Sequence, residues 1–561
     1  MEDIIRKYAL DNAVKFEGKA NPGAVIGKVL KEDPSLKENM KEVSKEINSI
    51  IKDVNSLGLE RQKKELEKYA KDLPEKKPEK KKGLKELKNV SNKVVMRFEP
   101  SPSGPMHLGH AYALSLNSEY TRKYDGKLIL RIADTNPENI YEPAYELLPE
   151  DGVWLTKKNI SKVFVQSENL GKYYDYAEKL VSMGKAYVCE CSSDRFRELI
   201  FKKEQCPCRR LSKKEHEERY AKMFSSYKPG EAVLRLKTEL NHPNPAMRDF
   251  PLMRVNEHEH PKQGTRYRVW PLMNLAVFVD DVELGITHIL RAKDHMDNAK
   301  RQEYLYNYLG KPIPETIFIG KINFEGMPMS CSKVRVLIEE GKYSGWDDIR
   351  LPFLRALKRR GYTPEAFIIY ALDVGVTQTD KSVDKEEFFK ALNHFNKEII
   401  DDKSDRYFFV SEPEEIVIEG APEQEVKLMK HPEHKKRGYR EFKTHDRFYI
   451  SKDDLKLFKD GEMVRLMDCL NFKKKKDKFV FDSTDHSKYK EEGRYIIHWL
   501  PALGNLVDAE ILMPDGSLIK GYAESAVSRL KVGDIVQFER VGFCRLDKKE
   551  KDKIIFWFGH R

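Results

Sequence analysis

The spacing of apolar and polar positions divides the chain into stretches of different character. Within residues 1–70, apolar side chains recur at three- and four-residue steps, which predicts a helical N-terminal domain with one apolar face. The clearest run consists of Leu36, Met40, Val43, Ile47, Ile51 and Val54. The next segment, 71–92, holds two prolines and eight lysines in its first nineteen residues. That composition predicts an extended basic linker.

From Val94 the pattern changes to short apolar runs that alternate with helical stretches. "KVVMRF" (93–98) and "GKLILRIAD" (126–134) predict buried parallel strands, and the segment from about His107 to Tyr124 predicts the helix between them. Strand, helix and strand in this order predict a doubly wound α/β fold. Further strands of that sheet are expected at 186–190, 232–237, 285–291 and 315–320.

Two more changes of pattern follow toward the C-terminus. A helical pattern extends from about Trp346 through Lys403. From 406 to 561 the chain consists of short alternating segments separated by turn residues, among them "RFYIS", "KFVFD" and "KIIFWFG". Such spacing predicts β-barrels rather than more α/β structure.

Composition narrows the class of protein. At 561 residues the chain is too long for one core, and its 40% apolar residues are ordinary for a globular protein. It has no run of eighteen apolar residues and no secretion-signal pattern at its start, so we expect no membrane span and a cytoplasmic location. The formal net charge of +11 on a chain with 34% charged residues fits a polyanionic partner, and it equally fits a solvated surface.

The segment "FEPSPSGPMHLGHA" (98–111) carries the strongest chemical signal. Three prolines stiffen it, two glycines allow close approach to its backbone, and two histidines fall at the start of the predicted helix. A helix N-terminus attracts anions, and imidazoles there can donate hydrogen bonds to phosphoryl oxygens. The segment is therefore expected to bind the triphosphate of ATP. A proline-rich turn explains only part of it.

Four of the seven cysteines crowd into residues 189–208 as two Cys-x-Cys pairs. The fourteen residues between the pairs can form a helix that brings the thiols together. Four thiolates at tetrahedral reach form a closed structural Zn²⁺ site. Four reduced, buried thiols are the alternative. The proposed ligands are Cys189, Cys191, Cys206 and Cys208.

"HLGH" resembles the signature of class I aminoacyl-tRNA synthetases, and "RFEPSPSGPMHLGHA" is similar to their glutamyl/glutaminyl branch. Further similar blocks, such as "LILRIADTNPEN" and "VGDIVQFERVGFCRLD", continue in the same order to the C-terminus. The β-barrels are typical of the archaeal and eukaryotic type. The resemblance implies a Rossmann-type catalytic domain (93–345) with an acceptor-binding insertion at about 185–265, a helical stem-contact domain (346–405) and anticodon-binding barrels (406–561).

The resemblance also implies the reaction and its partners. Glutamate and ATP, accompanied by Mg²⁺, would give glutamyl-adenylate, and the acyl group would pass to the 3′ end of tRNA(Glu), with tRNA(Gln) as a second candidate acceptor. A monomer is expected. The basic segment 347–367, with Arg350, Arg355, Lys358, Arg359 and Arg360, would lie near the tRNA stem, unless it is simply a solvated helix face.

Site residues follow from the same resemblance. The catalytic group would be His107, His110 and Lys333. ATP would be bound by these three together with Pro100, Gly104, Gly109, Ser330 and Ser332. The amino-acid pocket would contain Arg97, Ser101, Ala133, Met273 and Arg291. Two guanidinium groups suit a substrate with two carboxylates, which favours glutamate over glutamine. Pairing of Arg291 with Asp294 or Asp297 is the structural alternative.

Three positions depart from the family pattern. Ala133 stands where an acid is expected to hold the substrate ammonium, Met273 replaces a pocket tyrosine, and Cys331 replaces the second lysine of the "KMSKS"-type loop, here "PMSCSK". These departures keep two other interpretations open. One is a catalytically silent paralogue that binds tRNA, and the other is a synthetase of altered specificity, glutamine being the nearest.

Overall fold

The computed structural model describes residues 1–15, 18–69, 83–90 and 93–561. Most of the predicted linker 71–92 therefore lies outside the described residues. The chain forms two compact units, Met1–Lys81 and Lys82–Arg561. None of the described helices is both long and apolar enough to cross a bilayer.

The first unit is helical, as the apolar spacing predicts. Its helices are α1 (Glu2–Lys15), α2 (Pro22–Glu32), α3 (Met40–Ser56) and α4 (Leu59–Leu66). Val43, Ile47, Ile51 and Val54 on α3 are buried in its core, whereas Met40 at the helix start is exposed. The predicted apolar face is therefore the core face over most of α3.

The second unit begins with the predicted α/β domain. The "KMSKS"-type loop "PMSCSK" (328–333), called the signature loop below, follows its last parallel strands. Its strands and helices up to the signature loop are β1 (Val95–Phe98), α5 (Leu108–Lys123), β2 (Lys127–Ile132), α6 (Ala144–Leu155), β3 (Ile160–Val165), α7 (Leu170–Ser182), β4 (Ala186–Cys189), α8 (Ser193–Phe201), α9 (Lys213–Met223), β5 (Val233–Leu236), β6 (Pro251–Val255), β7 (Val269–Pro271), α10 (Met273–Glu283), β8 (His288–Ala292), α11 (Met296–Leu309), β9 (Glu315–Ile319) and β10 (Ile322–Phe324).

Five parallel strands position the site. β1, β2 and β3 form one parallel sheet, and β8 and β9 form a parallel pair. The N–H of Thr287 donates to the carbonyl of Val95 (3.0 Å), which places β8 beside β1. The resulting spatial order β3-β2-β1-β8-β9 is that of a doubly wound fold, whose ligands bind at the carboxyl ends of the strands.

Two of the strands predicted for this sheet belong elsewhere. β4 and β5 pair antiparallel with each other, and with β6 and β7 they form a separate four-stranded sheet. An apolar run predicts that a strand is buried but does not identify its pairing partner, so this assignment was wrong. The separate sheet has its own core around Leu234, Leu252 and Trp270.

The helices after the signature loop share a core with the α/β domain. They are α12 (Cys331–Glu339), α13 (Leu354–Arg359), α14 (Pro364–Val374) and α15 (Lys385–Ile400), with strand β11 (Lys381–Val383) paired to β10. Leu354 and Phe367 pack in the same cluster as Met96 and Leu128 of the parallel sheet. The helical pattern predicted to start at Trp346 begins only at Leu354, because Pro352 disfavours helix at the residue before it.

The C-terminal residues form two seven-stranded sheets and one antiparallel pair, β15 with β16, in the region where the sequence predicts β-barrels. In chain order the elements are β12 (Arg406–Tyr407), β13 (Phe409–Ser411), β14 (Pro413–Glu419), β15 (Gln424–Met429), β16 (Tyr439–Thr444), β17 (Arg447–Ser451), α16 (Lys452–Leu457), β18 (Met463–Leu466), β19 (Asn471–Lys475), β20 (Lys478–Ser483), α17 (His486–Glu492), β21 (Gly493–Ile497), β22 (Leu500–Pro501), β23 (Leu506–Leu512), β24 (Leu518–Glu524), β25 (Ile535–Phe538), β26 (Gly542–Lys549) and β27 (Ile554–His560).

One sheet has the order β12-β25-β26-β27-β23-β24-β13, and the other has the order β21-β18-β19-β20-β14-β17-β22. β12 and β13 follow each other directly along the chain yet lie at opposite ends of the first sheet. That sheet therefore curls almost into a barrel, which leaves little exposed strand edge. The multidomain fold class expected from the sequence is confirmed.

Candidate active site

The loop between β1 and α5 is held on several sides. The carbonyl of Pro100 accepts from the N–H of Ala133 (3.1 Å). The N–H of Met106 donates to the buried carboxyl of Asp151 (2.9 Å), and the carbonyl of Met106 accepts from the N–H of Leu354 (3.0 Å). Burial raises the pKa of Asp151 to about 7. The loop is thus fixed to β2, α6 and α13 before α5 begins.

The two histidines of this loop are stacked and neutral. His107 is the N-cap of α5 and its Nδ1 accepts from the N–H of Gly109 (3.1 Å), while Nδ1 of His110 accepts from the N–H of His107 (3.5 Å). Their rings stack with centroids 3.8 Å apart. Burial lowers the pKa of His107 to about 4 and that of His110 well below its usual value. Because each Nδ1 accepts, the ring proton lies on Nε2, so each histidine offers a neutral Nε2–H donor.

A cavity of about 750 Å³ opens beside the second histidine, at the carboxyl ends of β1, β2 and β8 and the start of α10. The predicted site residues that line it are Arg97, Ser101, Gly109, His110, Ala133, Met273 and Arg291. The remaining predicted residues, which do not line it, are Pro100, Gly104, His107, Ser330, Ser332 and Lys333. The expected amino-acid pocket is thus brought together in one place.

Arg97 is already engaged by buried acids. Its Nε and Nη2 donate to the two carboxylate oxygens of Asp281 (3.2 and 3.4 Å), and its Nη1 lies 3.6 Å from Oε2 of Glu99. Arg131 donates to the same two acids, at 2.7 Å and 2.6 Å. Opposite charges hold the pKa of Asp281 below its usual value even though burial opposes this. This network fixes the orientation of Arg97 at the cavity wall.

Arg291 is a buried cation that forms no ion pair with an acid among the described residues. Its Nη1 donates to the neutral amide oxygen of Gln302 (3.1 Å), and its Nε is buried without a hydrogen-bond partner. Asp294 and Asp297, the expected alternative partners, neither pair with it nor affect its pKa. Burial, followed by repulsion from Arg97, lowers the pKa of Arg291 to about 10. Glu99 and Asp281 offset part of this effect from a distance, and the unpartnered guanidinium could pair directly with an anion bound in the cavity.

The signature loop packs against the histidine loop through its cysteine. Cys331 is the first residue of α12, is buried, and lies so close to Gly104 that a Cβ on the glycine would sit 3.0 Å from its Sγ. Ser330, Ser332 and Lys333 are exposed. Cys331 thus fills a packing position, while Lys333 is the cation of this loop that faces solvent.

The four clustered thiols meet at metal-binding distances. Sγ of Cys189 lies 3.8 Å from Sγ of Cys206, and Sγ of Cys191 lies 3.9 Å from Sγ of Cys208. All four sulfurs lie within 4.8 Å of one another. Zn–S bonds of about 2.3 Å in a tetrahedron separate sulfurs by about 3.8 Å, so the arrangement fits a Zn²⁺ ion. α8 joins the two pairs, as their spacing predicts.

The basic helix differs from the expectation at its C-terminal end. Arg360 is buried and donates to the carbonyls of Phe558 and Gly559, so it faces neither solvent nor tRNA. Arg359 forms a two-bond ion pair with Asp547 (2.7 Å for each bond). These two residues therefore attach α13 to the C-terminal sheet. The sequence alone could not distinguish a partner inside the chain from a nucleic-acid phosphate.

The sequence analysis did not single out four charged residues around the cavity and the histidine loop: Glu99, Arg131, Asp151 and Asp281. Arg131 and Asp281 are charged residues within the apolar runs "LILRI" and "VFVDD", where a charge is buried only with a partner. That signal was available. Glu99 and Asp151 carry no such signal, because loop and helix positions commonly hold exposed acids.

Comparisons with known proteins identify the family. A family model described as the catalytic domain of class I tRNA synthetases (E and Q) matches residues 93–402, and two anticodon-binding models of the same family match residues 404–493 and 496–547. A glutamate–tRNA ligase of Methanothermobacter thermautotrophicus is 43% identical over 563 residues, covering 100% of both chains. One of Pyrococcus furiosus is 44% identical over 580 residues, again covering 100% of both. The chain belongs to the class I tRNA synthetase family for glutamate and glutamine.

Proposed function

We propose that this chain is an ATP-dependent ligase that attaches L-glutamate to tRNA(Glu) through a glutamyl-adenylate. The observation that carries the choice of amino acid is Arg291, a buried guanidinium without an acidic partner, in the same cavity as Arg97 and His110. A γ-carboxylate would satisfy it by a charge-assisted bond. The amide of glutamine would leave the charge uncompensated, which disfavours that substrate.

The stacked histidines suit the ATP side of the reaction. Their Nε2–H groups and the N-terminus of α5 would donate to phosphoryl oxygens as negative charge grows on the leaving pyrophosphate. Their low pKa values keep both rings neutral at pH 7, so donation requires no protonation. Mg²⁺ accompanies the ATP and adds charge neutralisation. The stiff loop of Pro100 and Gly104 would fix the distance between nucleotide and amino acid.

The signature loop would close over the nucleotide. Lys333 is exposed near the start of α12, and the exposed Ser330 and Ser332 precede it. We assign the phosphate contact of this loop to Lys333, since the buried Cys331 carries no charge and packs against Gly104. The departure at Cys331 is therefore compatible with an active enzyme and gives no support to a silent paralogue.

The remaining assignments concern the metal and the partners. We propose a structural Zn²⁺ held by the four thiols of residues 189–208, where it would stabilise the small subdomain around α8. The residues from 404 onward would bind the anticodon of tRNA(Glu), and charging of tRNA(Gln) is a further candidate activity. We also propose that the enzyme acts as a monomer in the cytoplasm.

Amino-acid-dependent ATP–pyrophosphate exchange tests the proposed function. We expect exchange with glutamate that tRNA(Glu) stimulates, weak or no exchange with glutamine, and none with the other eighteen amino acids. Direct binding of ATP serves as the control for folded protein. If tRNA(Glu) is present and ATP binds, a lack of exchange with every amino acid would refute the ligase function.

A further inference from the structure

Glutamate carries two carboxylates and one ammonium, and the proposed function has so far named no partner for the ammonium. The position where the family pattern has an acid is Ala133, whose methyl group can accept no hydrogen bond. An ammonium desolvated in a cavity beside Arg97 and Arg291 needs an anion nearby. Among the described residues that line this cavity, Glu99 is the one carboxylate.

Glu99 lies next to the position of the missing acid. It is the first residue after β1, and Ala133 is the first residue after β2. The two strands are parallel neighbours, with Phe98 opposite Leu130. The N–H of Ala133 donates to the carbonyl of Pro100, the residue after Glu99 (3.1 Å). An acid at either position therefore serves the same corner of the cavity.

The carboxylate of Glu99 is held in place through Oε2, and its other oxygen, Oε1, has no hydrogen-bond donor among the described residues. Oε2 accepts from Nη2 of Arg131 (2.6 Å) and lies 3.6 Å from Nη1 of Arg97. The side chain is 11% exposed, so it is held in place yet reaches the cavity. This is the arrangement expected of a preorganised ligand group.

Three other acids near this corner have their oxygens occupied. Asp134, directly after Ala133, is buried and accepts from Ser167 at Oδ1 and from Tyr145 and Ser167 at Oδ2, and it does not line the cavity. Asp281 is fully buried and accepts from Arg97 and Arg131. Asp280, also buried, accepts from Tyr173 at Oδ1 (2.7 Å) and from Gln166 at Oδ2 (2.6 Å). Neither acid lines the cavity. They hold the network together but do not face a substrate.

We propose that Oε1 of Glu99 binds the α-ammonium of the amino-acid substrate, in place of the acid absent at position 133. The negative charge has moved from the end of β2 to the end of β1, and Arg131 holds it there. This inference rests on the proposed function, because it assumes that glutamate occupies the cavity. It also explains how the chain can retain affinity for an amino acid despite Ala133.

Glutarate, which is glutamate without its amino group, separates ammonium binding from carboxylate binding. We would measure the KM of glutamate and ATP in pyrophosphate exchange, and the inhibition constant of glutarate against glutamate, for wild type and Glu99→Gln. Loss of a charge-assisted bond predicts a KM for glutamate about 10- to 100-fold higher. The KM of ATP and the inhibition constant of glutarate should stay within about twofold.

A relocated acid provides the second variant. Glu99→Ala with Ala133→Glu should recover most of the glutamate affinity that Glu99→Ala loses. The matched control, Glu99→Ala with Ala133→Gln, has the same shape without the charge and should recover none. Recovery by the charged variant alone supports the proposal, since a purely structural role of Glu99 would not be replaced from the neighbouring strand.

The outcomes separate the two proposals. If Glu99→Gln weakens glutamate and glutarate by the same factor, Glu99 only positions the arginines and the inference is overturned. An unchanged KM for glutamate also overturns it. In both cases the wild type still catalyses exchange and the proposed function stands. A wild type that binds ATP but shows no glutamate-dependent exchange refutes the proposed function, and this inference with it.

Discussion

Replacement of His107 can separate its structural role from its proposed chemical one, because two different ring nitrogens are involved. Nδ1 caps α5 by accepting from the N–H of Gly109, and Nε2–H is the donor available to a phosphate. Serine at this position keeps an N-cap acceptor but has no donor of comparable reach, whereas alanine removes both functions. His107→Ser and His107→Ala therefore form a matched pair.

The expected magnitudes differ for the two measurements. Loss of one donor aimed at developing negative charge lowers kcat by about 100- to 1,000-fold. Loss of an N-cap acceptor lowers stability by about 0.5–2 kcal/mol. Both variants should therefore lose exchange activity to the same extent. Only His107→Ala should also unfold at a lower denaturant concentration.

The assays are pyrophosphate exchange at saturating glutamate and ATP, and urea unfolding followed by tryptophan fluorescence. The pH dependence adds a third test. Because the pKa of His107 is about 4, the ring is neutral throughout pH 6–8 and wild-type exchange should show no inflection from it. Exchange by His107→Ser above about one third of the wild-type rate would refute the donor role. So would a wild-type rate that falls as pH rises from 6 to 7, if His107→Ser abolishes that fall.

Three further predictions address the cavity, the thiols and the loop. Arg291→Gln should raise the KM of glutamate about 10- to 100-fold and lower the ratio of kcat/KM for glutamate to kcat/KM for glutamine, measured by exchange with both amino acids. An unchanged ratio would contradict the role of Arg291. Cys208→Ser should lose about one equivalent of zinc by elemental analysis, whereas equal metal content in wild type and variant would contradict the site. Burial raises the pKa of Asp151 to about 7 from 3.8, so this carboxyl stabilises the fold below pH 4 and its contribution is lost as pH rises toward 7. Asp151→Asn keeps an acceptor for Met106 and should remove about 2.5 kcal/mol of the decrease in stability between pH 5 and 8, measured by urea unfolding at both pH values.

Much of the fold could be predicted from local pattern. The apolar face of α3, the strands β1 and β2, and the alternating C-terminal strands all follow from the spacing of buried side chains. The pairing of β4 with β5 could not be predicted, because partner choice depends on contacts far apart in sequence. Pro352 was a sufficient signal that the helix begins after Trp346, at Leu354.

Residue pattern alone predicted the candidate site only where its residues form a continuous motif, and the separate pocket residues Arg97, Met273 and Arg291 came from the family resemblance. The histidine loop and the cysteine pairs are short segments whose spacing implies their chemistry. Glu99, by contrast, gains its significance from Ala133 on the next strand and from Arg131 beneath it. Neither relation is visible as a local pattern. The same holds for Arg360, which has the sequence context of a surface cation and is buried.

The short helix α13 has a mechanical consequence. At its first residue, the N–H of Leu354 is bonded to the carbonyl of Met106, immediately before the stacked imidazoles. At its other end Arg359 is clamped to Asp547, and the adjacent Arg360 reaches the last strand of the chain. Six residues thus connect the C-terminal barrel to the histidine loop. A displacement of the barrel would therefore act through this helix on the loop that carries the two histidines.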